Sequence, residues 1–269
     1  MHEPPSAWIR SIDAVYAFVE DESVRSKYPA LAERVLEAVQ TCERALETYG
    51  AANCALSFNG GKDCIVLAHI LAAVLRRKAP NTEGIPKLHG LYVACASPFP
   101  ELEDFIRYSS SQATGYNIDL TWSKGDIRDV LADWTGQNTT YSGVSHRHIR
   151  AMFIGVRRID PHGAALALES PCDPDWPPMM RIHPILNWEY ADIWAFLRSP
   201  VLATNLEVSA QGVTGGGSHG VPYCILYDRG YTSLGSTFNT RPNPLLEQSG
   251  EYAPAYELQD ASAERAGRG

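Results

Sequence analysis

The 269-residue sequence lacks the features that define several classes of protein. It has no long apolar run at its start, so residues 1–10 resemble neither a secretory signal nor a membrane span. It has no excess of basic residues either, and a formal net charge of −8 argues against a broad nucleic-acid or anionic-membrane surface. An apolar content of 45% is typical of one large globular domain. We therefore expect a cytoplasmic monomer that binds neither nucleic acid nor membranes.

The cysteines form neither a CxxC pair nor a spacing typical of metal ligands. Several lie in apolar stretches, where a thiol packs like a small hydrophobic side chain. The pattern indicates reduced thiols, as in cytoplasmic proteins. The six positions are Cys42, Cys54, Cys64, Cys95, Cys172 and Cys224.

Helix-like and strand-like segments alternate along much of the chain. Apolar residues at helical spacing predict a helix over Pro29–Tyr49 that ends at Gly50. A short apolar run, Cys54–Phe58, predicts a strand that leads through two glycines into a helix from Lys62 to about Arg76. The alternation continues with strands at Leu88–Cys95, Ile118–Trp122 and Ala151–Val156 and with helices near Glu101–Ala113, Asp126–Trp134 and Glu189–Arg198.

This order predicts an α/β fold in which helices cover both faces of a mostly parallel, three-layer, Rossmann-like sheet. Five prolines between positions 161 and 178 exclude a long helix, and we expect a loop there. The stretch Ala203–Gly220 contains three consecutive glycines and is expected to be mobile. We assign one domain, with a core over about residues 30–200 and a loop-rich extension over about 201–269 that covers the site.

The strand-to-helix junction Ser57–Asp63 has the properties of an anion-binding turn. Its backbone N–H groups and the positive end of the following helix converge on one region. Gly60 and Gly61 permit positive φ and leave room for a phosphate beside the main chain, and Lys62 adds a mobile positive charge. A plain glycine-rich turn is the alternative, since the spacing matches neither the Walker pattern GxxxxGK[ST] nor the dinucleotide pattern GxGxxG.

The turn resembles the SGGKDS-type loop of the N-type ATP pyrophosphatases, which cleave ATP between its α- and β-phosphates. With Cys64 next, it is similar to the loop of the eukaryotic FAD synthases, a family related to the phosphoadenylylsulfate reductases with an adenine nucleotide alpha hydrolase-like fold. The stretch from about Ala203 to Gly220 departs from the family by its length. Further segments match in order over nearly the whole chain: Phe99–Leu102, Gly155–Pro161, Asp173–Pro177, Arg181–Trp188, Pro222–Cys224, Leu226–Gly235 and Glu264–Arg268.

The resemblance implies an FMN adenylyltransferase that joins AMP from ATP to FMN and releases FAD and pyrophosphate, the last step of FAD biosynthesis. In-line attack of an FMN phosphate oxygen on the ATP α-phosphorus requires alignment and charge neutralisation, and no nucleophilic side chain. We therefore interpret Cys64 as a buried thiol. Mg²⁺ would bridge phosphate oxygens and offset charge on the leaving group. The FAD product could remain bound and limit turnover.

The resemblance also implies roles for individual residues. Besides the catalytic and ATP-binding roles given below, Asp63 could help to place hydrated Mg²⁺. The expected FMN-binding group combines an aromatic face with polar side chains: Asp160, Asp173, Trp176 and Arg181. The expected catalytic residues are Asn59, Asp63, Arg265 and Arg268. The expected ATP-binding residues are Ser57, Phe58, Asn59, Gly60, Gly61, Lys62, Asp63 and Arg157.

Each assignment has a simpler alternative. Asp63 would favour the first turn of any helix. Arg157 and Asp160 could form a surface ion pair, and Trp176 could be ordinary packing. The arginines near the end could belong to a frayed, solvated segment.

Three other functions remain open. A phosphoadenylylsulfate reductase would need a redox-active cysteine motif, which is missing around Cys224. A catalytically silent nucleotide-binding protein would retain the fold without turnover. A tRNA-modifying ATP pyrophosphatase is disfavoured by the acidic charge balance and the lack of CxxC motifs.

Overall fold

The computed structural model describes residues 6–136, 148–203, 214–215 and 220–269. Most of the stretch Ala203–Gly220, which the sequence predicts to be mobile, therefore lies outside the described residues.

One six-stranded sheet forms the centre of the described structure, with strand order β3-β2-β1-β4-β6-β5. All neighbouring strands pair in parallel except β5 with β6, which are antiparallel. The mostly parallel α/β fold is thus confirmed. The strands are β1 (Cys54–Ser57), β2 (Leu88–Ala94), β3 (Ile118–Lys124), β4 (Ala151–Ile154), β5 (Glu169–Pro171) and β6 (Met180–Ile182).

Helices cover both faces of the sheet. Leu56 of β1 and Phe153 of β4 are fully buried in the larger hydrophobic core, on one face. Their neighbours Ala55 and Met152 belong to a smaller core on the other face, together with Trp134. Because successive strand residues point to opposite faces, this alternation gives the predicted three layers.

The helices follow the predicted order with small differences at their ends. The long helix begins with Pro29 at its first position and ends at Gly50, whose φ of 78° suits glycine. The helix after β2 ends at Ser110 rather than near Ala113, because Ser111 is extended. The helices are α1 (Ser6–Asp13), α2 (Ala17–Glu20), α3 (Glu22–Lys27), α4 (Pro29–Tyr49), α5 (Lys62–Lys78), α6 (Pro100–Ser110), α7 (Ile127–Trp134) and α8 (Tyr190–Leu197).

Two parts of the fold differ from the sequence-based expectation. Helices α1–α3, which no pattern predicted, pack Trp8, Ile12 and Phe18 into the larger core. The proline-rich stretch contains β5 instead of a loop alone, and β6 follows it. Pro171 is tolerated because β5 is an edge strand, where a missing N–H costs little.

The chain after residue 220 packs onto the main core through short turns. Val221, Leu226, Leu246 and Ala255 are buried in the larger core. Its strands are two-residue pieces: β8 (Tyr223–Cys224), which pairs with β7 (Thr214–Gly215), and the pair β9 (Glu247–Gln248) and β10 (Glu251–Tyr252). None of the helices in the described part of the chain has both the length and the apolarity needed to span a bilayer.

Candidate active site

A cavity of about 310 Å³ lies where β1, β2 and β4 end. Strands β2 and β4 flank β1 on opposite sides, and this reversal of strand order opens a crevice at the carboxyl edge of the sheet. The turn after β1 supplies Asn59, Gly61, Lys62 and Asp63 to the lining, and the segment after β4 supplies Arg157. The volume lies at the lower end of the range for sites of small organic ligands, about 300–1,000 Å³.

The turn after β1 is held by its own contacts. Gly60 has φ 68°, and a Cβ there would lie 2.6 Å from Ile106 Cγ1, so the position requires glycine. The Gly61 N–H donates to Asn59 Oδ1 at 2.9 Å. The Lys62 N–H donates to the Tyr227 hydroxyl at 2.9 Å. Two amides of the predicted anion-binding turn are therefore already paired within the protein.

The Lys62 side chain is buried, with an exposed fraction of 2%. Its Nζ donates to Asp63 Oδ2 at 2.9 Å and forms a short contact with Glu264 Oε1. Burial lowers the Lys62 pKa, but attraction to Asp63 and Glu264 outweighs burial and raises the pKa above its ordinary value. The prediction of a mobile lysine is wrong, because two carboxylates hold this cation in place.

Arg157 lies beside Lys62 and is 1% exposed. Its Nη2 donates to both carboxylate oxygens of Glu264, at 2.8 and 2.7 Å. Its Nε lies 2.7 Å from Asp63 Oδ1, but the N–H is not aligned with that oxygen, so this contact is an ion pair without a hydrogen bond. Nη1 has no hydrogen-bond partner among the described residues. A buried guanidinium whose Nη1 is unused as a donor is suited to receive an anionic oxygen.

The Arg157–Asp160 ion pair exists, but the arginine is not at the surface. The Arg157 main-chain N–H donates to Asp160 Oδ2 at 2.8 Å, and Nη2 lies 3.3 Å from Oδ1. Burial raises the Asp160 pKa more than attraction to Arg157 lowers it. Burial also acts to raise the Asp63 pKa, but there Lys62 and Arg157 prevail and the pKa is lowered. Because Arg157 is buried, the alternative of a surface ion pair with Asp160 is wrong.

The segment 261–269 is ordered along the cavity wall. Glu264 and Gly267 are buried, Arg265 lines the cavity, and the Arg268 guanidinium packs on Gly235. An isolated bridge also pairs Thr240 with Arg268. This packing argues against a frayed, solvated segment.

The predicted residues thus fall into three groups. The first group lines the cavity: Asn59, Gly61, Lys62, Asp63, Arg157, Asp160 and Arg265. The second group adjoins the cavity: Ser57, Phe58, Gly60 and Arg268. The Phe58 side chain is fully buried, so only the main chain of this residue is available to contact a ligand.

The remaining three predicted FMN-binding residues lie apart from this cavity, at the β5–β6 edge of the sheet. Arg181 in β6 donates to the Pro171 carbonyl at 2.8 Å and lies 3.7 Å from Asp173. Trp176 packs against the smaller core. The role of this group in FMN binding remains a prediction.

The side chains of the cavity can be compared with the oxygen ligands that Mg²⁺ prefers. No group of three His, Cys, Asp or Glu side chains within the described ranges has a metal-binding arrangement. Each oxygen of Asp63 lies 2.7–2.9 Å from a cation of Lys62 or Arg157. Both Asp63 oxygens therefore already lie beside cations, and a role of Asp63 toward Mg²⁺ remains a prediction.

Sequence reasoning missed two site residues, Tyr227 and Glu264. Both are buried and contact the turn from positions more than 160 residues away along the chain. The matched segments Leu226–Gly235 and Glu264–Arg268 contained them, but nothing in their local pattern indicated contact with Lys62.

Comparison with known proteins agrees with this geometry. The sequence-family model for the phosphoadenosine phosphosulfate reductase domain matches residues 53–206, more than half of the chain. The chain therefore belongs to that family of α/β proteins.

Relatives narrow the assignment to the FAD synthases. A probable FAD synthase of Schizosaccharomyces pombe is 37% identical over 246 residues, which cover 90% of this chain and 81% of the relative. One from Caenorhabditis briggsae is 34% identical over 97% of this chain, which spans only 45% of the relative. A structure of Candida glabrata FMN adenylyltransferase with FAD and pyrophosphate has the same fold, with a TM-score of 0.72, 20% identity and coverage of 100% of both chains.

Proposed function

We propose that this protein is an FMN adenylyltransferase that makes FAD and pyrophosphate from ATP and FMN. The observation that carries the proposal is a buried pair of cations, Lys62 and Arg157, beside a glycine turn at the carboxyl edge of the sheet. Relatives named FAD synthase support it, as do Candida glabrata structures described with FMN and an ATP analogue.

In the proposed reaction, an oxygen of the FMN phosphate attacks the α-phosphorus of ATP. A new P–O bond forms, the bond between the α-phosphorus and the bridging oxygen breaks, and pyrophosphate leaves with that electron pair. The free Arg157 Nη1 would donate to a phosphate oxygen, and the positive charge of Lys62 would stabilise the negative charge of the phosphates. Positioning and charge neutralisation are sufficient, so no side chain has to form a covalent bond.

Mg²⁺, when bound with ATP, would neutralise part of the negative charge on the phosphates. Asp63 is the side chain that we propose contacts its hydration shell. The residues of this chain would orient the triphosphate, with buried Lys62 and Arg157 in the cavity wall.

The two buried cysteines Cys64 and Cys224 do not support a thiol-based reductase. Burial raises the pKa of Cys224 to about 12 and that of Cys64 to about 11, so both are protonated at neutral pH. All six cysteines are free. Free thiols support the proposal of a cytoplasmic enzyme, and light scattering of the purified protein would test whether it is a monomer.

The test is incubation of the purified protein with ATP, Mg²⁺ and FMN, followed by chromatography of FAD and measurement of pyrophosphate. Equal amounts of both products are expected, and neither should form without FMN. Pyrophosphate or ADP release that does not depend on FMN would contradict the proposal.

A variant pair sharpens the test. Asp63→Asn should lower the rate about 100-fold or more, the usual effect of removing one charge-positioning group. Asp129→Asn is the matched control, because Asp129 also lies in the first turn of a helix and is exposed. Equal loss in both variants would indicate a helix-end effect instead of a role in the site.

A further inference from the structure

We propose that Glu264 is a positioning residue whose carboxylate anchors the 261–269 segment and thereby holds Arg265 and Arg268 beside the reacting phosphates. This inference rests on the proposed function. Its basis is that one carboxylate contacts both buried cations of the phosphate-binding corner, Lys62 through Nζ and Arg157 through Nη2.

The environment of Glu264 differs from that of its neighbours. Its side chain is 9% exposed, whereas Ser262, Arg265 and Ala266 are exposed residues. Burial of a carboxylate is costly unless cations and hydrogen-bond donors surround it. Lys62 and Arg157 are fixed parts of the site, and the Glu264 carboxylate is favourable only beside them. Its position therefore also fixes the path of the main chain on either side of Glu264.

The main chain around Glu264 is held by neutral hydrogen bonds. Thr232 Oγ1 donates to the Glu264 carbonyl at 2.6 Å, and Asn243 Nδ2 donates to the Ala263 carbonyl at 2.8 Å. The Arg241 N–H donates to the Gly267 carbonyl at 2.9 Å. These bonds attach the segment to residues 232–243, whereas Glu264 attaches it to the turn that follows β1.

An anchor is needed because Arg265 and Arg268 are unfavourable neighbours. The Arg268 pKa is lowered by burial and by repulsion from Arg265. The Arg268 guanidinium packs so closely on Gly235 that a Cβ there would lie 2.3 Å from it. Two like charges that repel each other will move apart unless the backbone between them is fixed.

An alternative role for Glu264 makes the opposite kinetic prediction. The carboxylate could act as an internal competitor that occupies Lys62 and Arg157 until the triphosphate displaces it. Removal of its charge would then strengthen ATP binding and leave the chemical step unchanged. An anchor, in contrast, acts on the arginines, so its loss lowers kcat.

The experiment compares Glu264→Gln, Glu264→Asp and the control Glu257→Gln in the intact chain. Glu257 is an exposed residue of the same region. We expect Glu264→Gln to lower kcat about 10- to 100-fold, since a misplacement of about 1 Å costs up to about 100-fold. KM for ATP should change less than kcat, Glu264→Asp should recover part of the rate, and Glu257→Gln should match the wild type. A lower KM for ATP with unchanged kcat would overturn the proposal.

A double-mutant cycle with Arg268→Ala tests whether Glu264 acts through the arginines. If it does, Arg268→Ala should lower the rate of the wild type but have little further effect in the Glu264→Gln background. Multiplied effects of the two changes would refute the proposal. Should Glu264→Gln fail to fold, Thr232→Val loosens the same segment without removing a charge and should lower kcat in the same direction; an unchanged kcat would be contrary evidence.

Limited trypsin digestion gives a readout independent of activity. Cleavage after Arg265, followed by intact mass, should be at least about tenfold faster in Glu264→Gln than in the wild type, because the anchored segment must open before it is cut. Equal cleavage rates would rule out anchoring. If the wild type makes no FAD, the proposed function fails, while the digestion still decides whether Glu264 anchors the segment.

Discussion

Gly60→Ala is the perturbation whose effect can be worked out most directly from the structure. Gly60 has φ 68°, where an alanine costs about 1–2 kcal/mol. Its new Cβ would lie 2.6 Å from Ile106 Cγ1 and 3.1 Å from Leu102 Cδ1. Forcing a methyl group into a packed core adds about 1–3 kcal/mol. Together these effects predict a loss of about 2–5 kcal/mol in the free energy of unfolding.

The assay is thermal unfolding followed by circular dichroism, with FAD synthesis measured in parallel. At about 2–4 °C per kcal/mol, the melting temperature of Gly60→Ala should fall by about 4–20 °C. The rate should fall about 100-fold, because relief of the contact moves the turn.

Gly250→Ala is the control for this substitution. Gly250 also has a positive φ, 89°, but no atom lies within 4 Å of the added Cβ. This variant should lose only the conformational part, about 1–2 kcal/mol, and keep its activity. Equal melting temperatures for the two variants, or full activity in Gly60→Ala, would show that the contact with Ile106 does not constrain the turn.

Three other changes have definite expected outcomes. Arg157→Ala should cost about 3–5 kcal/mol in urea unfolding and abolish FAD synthesis, because it strands buried carboxylates; its exposed neighbour Arg158 donates to Asn187 and to the Leu166 carbonyl, and Arg158→Ala should cost less because these bonds lie at the surface. Burial lowers the His69 pKa from 6.5 to about 4, so the unfolded chain takes up the proton first and stability falls as pH drops between these values, by about 3 kcal/mol. His69→Gln should remove this component, and an unchanged pH profile would contradict the assignment. Cys64→Ala should leave the rate of FAD synthesis unchanged, because the thiol is buried and protonated; a large loss would reopen nucleophilic catalysis.

The parts of the fold that the sequence predicted are those with strong local patterns. Helix α4 has apolar residues at regular spacing and an end signal at Gly50, and its bounds agree with the prediction. Strands β5 and β6 were missed because they are three residues long and lie among prolines. Such short strands form because each has a pairing partner, β4 for β6 and β6 for β5, and single-sequence patterns do not carry that information.

The site shows the same division. The turn containing Gly60 and Gly61 could be recognised because its chemistry is contiguous in sequence. Glu264 could not be recognised, because a carboxylate near two arginines in the sequence is typical of a solvated segment. Its burial depends on Lys62 and Arg157, which are far away along the chain. The burial of Lys62 was missed for the same reason, since a lysine at a helix start is normally free to move.

The contact between Lys62 and Glu264 spans 202 positions, and this separation has a consequence for biosynthesis. A ribosome adds about 5–20 residues per second, so the glycine turn leaves the peptidyl-transferase centre about 10–40 s before its carboxylate partner is made. Strands β1, β2 and β4 are translated within that interval. Newly made molecules would therefore be able to form most of the sheet before Glu264 is available to complete the cation cluster of the candidate site.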